Sequence, residues 1–228
     1  MYFTNTPALN SMEAIMRKLP CGSQKGGGRY RSPYKYTKKD CRFCLSYRKE
    51  TGCTLAFCPV LDARLSCGAA PIGEAVKAVF KDAKNTAFQK RLSQIYPRKD
   101  DADMIFQNNR HRQIFEAERL SMRKPGKKAL AVLYLLTADK ALWQKTKPFL
   151  TRNGRIDVKG VSLGDISTDG YAPWKAAKEI QTGEKQISLC ELADSNVISD
   201  NAFRLIVQAV TIARFGAAVF NNTEVRYD

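Results

Sequence analysis

The tightest constraint on this chain is a run of cysteines spaced Cys41-x2-Cys44-x8-Cys53-x4-Cys58. A Cys-x2-Cys pair closes a short loop whose two thiolates reach one ion, and four thiolates at about 2.3 Å complete a tetrahedron around zinc. Between the second and third cysteines, Leu45 to Gly52 ends on turn-forming residues, so the chain can fold back there. Such a centre is net negative, and Lys38, Lys39, Arg42, Arg48 and Lys49 stand close by to offset it. It also has no open coordination position, so the expected cofactor, Zn2+ on Cys41, Cys44, Cys53 and Cys58, stabilises structure rather than activating water. Cys67 is an alternative to Cys58 as fourth ligand, and ordinary buried thiols are the plainer reading of the whole cluster.

The chain has seven cysteines; five lie between Cys41 and Cys67, while Cys21 and Cys190 stand alone. In a reducing compartment a tight cluster of this kind points to a metal site before a disulfide framework. No apolar run reaches the roughly 18 residues of a membrane span. The opening Met1-Tyr2-Phe3-Thr4-Asn5-Thr6-Pro7 lacks the basic-then-apolar order of a secretory signal. A cytoplasmic protein with no membrane partner is expected.

The formal charge is +16, and it is unevenly placed. Residues 1–58 hold 11 Lys/Arg against 3 Asp/Glu, residues 59–128 hold 15 against 8, and residues 129–228 hold 12 against 11. The excess in the first 128 residues predicts an anionic partner, either nucleic acid or an acidic protein face.

Apolar periodicity predicts a mainly α fold: helical domains with a small zinc-centred irregular module near the N-terminus. Leu9, Met12, Ile15, Met16 and Leu19 give an N-terminal helix within 1–22. Residues 23–40, with Gly26-Gly27-Gly28 and then Arg29, Arg31, Lys35, Lys38 and Lys39 among tyrosines, read as a basic flexible linker. Residues 41–126 form the zinc module and basic helices: one from Pro71 through Asn85, one over Phe88–Ile95, one opened by Asp100-Asp101-Asp103, and a basic amphipathic one over 110–123. Pro125-Gly126 marks a domain boundary, after which 127–228 is a neutral helical domain. There Ala129–Leu136 is apolar on every side and predicts a buried helix. Helix continues to Leu150 after a break near Asp139, a hairpin or loop fills 151–168, and helices follow at 171–181, 188–193 and 200–220.

No catalytic constellation is expected. His111, the only histidine, stands between Arg110 and Arg112 and reads as a solvated surface residue. The triple glycine lacks a following Gly-Lys-Ser/Thr, so a linker outweighs a phosphate loop. Residues 188–210 faintly resemble a helix-turn-helix, but the second helix opens Asp200-Asn201 and carries only Arg204 and Arg214, so helical packing is the better reading. Trp143 and Trp174 are expected in the core. Tyr, Arg and Lys interleaved over 29–39 suit phosphate contact with base stacking and suit protein binding equally.

Lys39-Asp40-Cys41-Arg42-Phe43-Cys44, Gly52-Cys53-Thr54-Leu55, Cys58-Pro59, Gly68-Ala69-Ala70 and Gly73-Glu74-Ala75-Val76 together resemble a cysteine-rich family of conjugative and phage-like elements of Gram-positive bacteria. Leu135-Leu136-Thr137-Ala138, Ser167-Thr168-Asp169-Gly170-Tyr171 and Ile198-Ser199-Asp200 resemble the same group. That setting includes anti-CRISPR proteins. The resemblance implies a zinc-stabilised, non-catalytic inhibitor that binds a type II RNA-guided effector nuclease in a bacterial host cell. A mimic of duplex DNA would be acidic, so this basic chain is not expected to imitate DNA. Arg29, Arg31, Lys35, Lys38 and Lys39 are the expected contact residues. The alternative is a basic nucleic-acid-binding accessory protein of a mobile element.

Overall fold

Apolar residues recur at helical spacing along most of the chain, and polar side chains stop the runs from merging. The computed structural model describes residues 44, 47–48, 52–53, 58, 60–66, 68, 70–97 and 105–222, all within the compact unit Tyr36–Asp228. The N-terminal helix, the basic linker and the helix expected from Asp100 lie outside the described residues. What is described is mainly helical, as the periodicity predicts.

A two-stranded antiparallel ladder comes first, β1 (Tyr47–Arg48) with β2 (Gly52–Cys53), Tyr47 opposite Cys53. Helices α1 (Leu61–Ser66), α2 (Ile72–Val79), α3 (Thr86–Ile95) and α4 (Asn109–Ser121) follow. Then come α5 (Lys127–Ala138), α6 (Lys140–Thr146) with a 3-10 turn at Lys147–Phe149, α7 (Thr168–Thr182), α8 (Leu189–Ala193) and α9 (Asp200–Phe215). A final 3-10 stretch covers Gly216–Asn222.

The buried helix expected at 129–136 is α5, with every residue from Leu130 to Ala138 in the core. It packs against α9 and α7, while α4 and α6 cover its flanks. Trp143 and Trp174 are core residues, 6 % and 5 % exposed. The break near Asp139 is a cap: its carboxylate accepts from Leu142 N at 2.7 Å and starts α6. Asn85, Asn108, Ser167, Ser188 and Ser199 start α3, α4, α7, α8 and α9 in the same way.

Three boundaries differ from the periodicity. Helix α2 stops at Val79 instead of Asn85, because Phe80 turns in to pack on Phe88 at 5.1 Å and Gln89 Nε2 takes the Phe80 and Ala83 carbonyls at 2.6 and 3.1 Å. Helix α9 ends at Phe215 instead of Phe220, where Gly216 adopts φ 74° and a side chain would strike Lys127 Cγ at 2.9 Å. At Pro125-Gly126 the chain makes a turn, and Phe115 before it shares one core with Tyr134 and Phe203 after it.

The stretch Asp200–Asn221 is long and apolar enough to cross a membrane. Most of it is buried within the protein, against α5, α7 and α2.

Candidate metal module and basic surface

The cysteine segment folds back where its turn residues allow. The register of β1 and β2 sets the Cys53 backbone opposite Tyr47, three residues past Cys44. Cys44 is exposed and Cys58 half-buried, both free thiols. Cys58 packs beside a small cluster of Leu61, Leu65, Ala70 and Ala75. Cys41 and Cys67 lie outside the described residues, and among the described residues no three metal-ligating side chains converge.

Arg64 of α1 stands behind Cys58. Its Nη1 donates to Glu74 Oε1 at 2.6 Å in a pair that is about nine-tenths buried. Burial works against the guanidinium charge, but hydrogen bonds to Glu74 and then Cys58 outweigh it and hold Arg64 more firmly protonated than usual. Pattern reading missed Arg64, because it stands six residues after Cys58 and only the α1 turn brings it back.

The expected contact residues Arg29, Arg31, Lys35, Lys38 and Lys39 lie outside the described residues. The faint helix-turn-helix is ordinary packing. Helix α9 buries Ala202, Phe203, Leu205, Ile206, Val207 and Ala209, leaving no face free to enter a groove.

His111 corrects the surface reading: it is 0 % exposed. Helical spacing sets it on the same side of α4 as Phe115, and that side faces α5. Its Nδ1 accepts from Gln107 N at 3.3 Å, so the proton sits on Nε2, which donates to the Tyr134 carbonyl at 2.9 Å. Burial lowers its pKa to about 4, opposed by the Tyr134 hydrogen bond and helped by Arg110. The flanking arginines hid this, because they say nothing of which way residue 111 faces. Both ring nitrogens are engaged in the fold.

A cleft of about 510 Å³ opens between Ile105–Asn108 and α9. Its polar lining is Gln107, Asn108, Asn201, Arg204 and Gln208, with no carboxylate, imidazole, thiol or hydroxyl. It offers hydrogen bonds but no nucleophile or general base.

Between described residues five ion pairs form: Arg64–Glu74, Arg91–Asp200, Arg119–Glu116, Lys147–Glu118 and Lys175–Glu191. Residues 119–156 carry ten Lys/Arg and a single acid, Asp139, whose carboxylate caps α6; the next acid is Asp157. Compared with family models, curated proteins and solved structures, the chain matches none.

Proposed function

We propose that this chain is a zinc-stabilised, non-catalytic protein that binds nucleic acid through exposed cations, as an accessory of a mobile element in the bacterial cytoplasm. The observation that carries this reading is the excess of positive charge over 119–156, where Arg119 and Lys147 are paired and the other eight Lys/Arg have no carboxylate partner among the described residues. Phosphate contacts dominate the affinity of such a surface. The zinc part rests on the hairpin that folds Cys53 back toward Cys44 and on the Arg64 guanidinium held beside Cys58. The engaged, neutral His111 and the cleft without acid–base groups favour binding over chemistry.

Binding of the full chain to a short DNA duplex and to an RNA hairpin across a salt series tests this. A fall of log Kobs with log salt steeper than about −4 supports it. No binding to either at low salt, together with a stable complex with a type II effector nuclease, would replace it with the inhibitor that the family resemblance implies.

A further inference from the structure

Four chain segments meet at the start of α5. The turn after α4 brings Arg123 and Lys124, and α5 opens with Lys127 and Lys128. The loop before α7 brings Arg152 and Arg155, docked by the Arg123 N to Arg152 O hydrogen bond of 3.1 Å. The end of α9 adds Arg214, whose carbonyl accepts from Lys127 Nζ at 2.9 Å. All seven side chains are exposed, and none has a carboxylate partner among the described residues. Glu116 and Glu118 of α4 are taken by Arg119 and Lys147, and Asp157, two residues past Arg155, accepts from Lys159 N at 3.1 Å.

Two backbone features hold this arrangement in place. Lys124 has φ 50°, the positive-φ residue other than glycine among the described residues. That conformation is strained for lysine, and such strain gathers at functional sites. Gly154, at φ 75°, lets the loop lie so close to α5 that a Cβ there would come within 2.7 Å of Ala129 Cβ. Gly126 gives α5 no side-chain cap and its first turn has no acid, so the positive end of the helix adds to the same surface.

We propose that this surface grips the phosphodiester backbone of nucleic acid, DNA or RNA, without reading sequence. The proposal rests on the nucleic-acid reading above and gives it a location. Like charges converging on one surface repel unless an anion is supplied. Protein interfaces are depleted in lysine and built around aromatic anchors, whereas among the described residues the large exposed apolar side chain nearest in sequence to Arg123 is Leu120. Phosphates fit it better than an acidic protein face does.

The test substitutes glutamine for Arg123, Lys124, Lys128 and Arg155 together in the full chain, leaving Lys127 to hold Arg214. Fluorescence anisotropy then follows binding to the DNA duplex and the RNA hairpin across a salt series. Loss of four phosphate contacts lowers the salt slope by about 3 to 4 and weakens low-salt affinity by roughly 100-fold or more. A control with Lys84, Lys90, Lys159 and Lys185 changed to glutamine removes equal charge elsewhere and shifts affinity less than about threefold. Equal losses in both variants would mean diffuse attraction and overturn the surface, though nucleic-acid binding would stand. Wild-type affinity in the first variant would overturn the surface in the same way. A wild-type chain that binds neither probe would overturn this proposal and the reading beneath it together.

Discussion

His111 is neutral because protonating it would place a charge among Phe106, Phe115 and Tyr134, with ring centroids 5.1 Å away at Phe106 and 4.8 Å away at Tyr134. Its pKa falls from 6.5 to about 4 on folding. As pH drops through that window the unfolded chain takes up a proton that the folded chain refuses, so stability falls with pH. The loss amounts to roughly 3 kcal/mol, complete near the folded value. Urea titrations at several pH values should show His111→Gln losing that part of the slope between pH 6.5 and 4; an unchanged slope would place the titration elsewhere. Gly154 tests a second local constraint. Gly154→Ala meets both the positive φ and Ala129, and should cost about 1–3 kcal/mol, read as a drop in Tm.

At the scale of elements, the C-terminal helices are joined by a buried arginine rather than by apolar contact alone. Arg91 of α3 sends Nη1 to the Leu192 carbonyl at 2.8 Å and Nη2 to the Ile198 carbonyl and Asp200 Oδ1 at 2.6 and 2.7 Å. Its guanidinium lies 4.7 Å from the Phe203 ring centroid. One planar fork thus ties α3 to the end of α8 and the start of α9. Arg91→Met strands two carbonyls and should cost roughly 2–4 kcal/mol in denaturant unfolding. Arg91→Lys should recover only part of that, because a single ammonium cannot reproduce the fork. Gln181 does comparable work, bonding both the N–H and the C=O of Ile156 at 2.8 Å and so pinning the loop that carries Arg152 and Arg155.

For the whole molecule, the main core runs from Ile72 to Phe220 without a cysteine, while Cys58 belongs with the smaller cluster around α1. Removing zinc with a chelator, or making Cys44→Ser, should therefore act locally. Hydrogen exchange should quicken at β1, β2 and α1 while α5, α7 and α9 keep their protection, and metal analysis should fall from one zinc per chain toward none. Global unfolding on chelation, or a purified chain without zinc, would contradict this. The two clusters meet along α2, which gives Ile72 and Val76 to the core and Ala75 to the smaller cluster and holds Arg64 through Glu74; Asn221 Nδ2 also donates to the Ser66 carbonyl at 2.7 Å, and Phe215 and Ala218 pack on the smaller cluster.

The sequence by itself determined the class of fold. Helical periodicity, the side chains that start α3 and α6 to α9, and the all-apolar run of α5 are local properties, written within about one turn of the residues they govern. It also determined the Cys-x2-Cys spacing and the turn that folds Cys53 back. Only the tertiary structure decided which way His111 faces, since a helix with arginines on two sides can still turn its third side inward. It likewise placed Arg152, Arg155 and Arg214, from a stretch nearly neutral in composition, beside Arg123, Lys124, Lys127 and Lys128. Charge counted along a chain averages over neighbours in sequence, whereas the field at a surface sums over neighbours in space, and packing alone decides which residues those are.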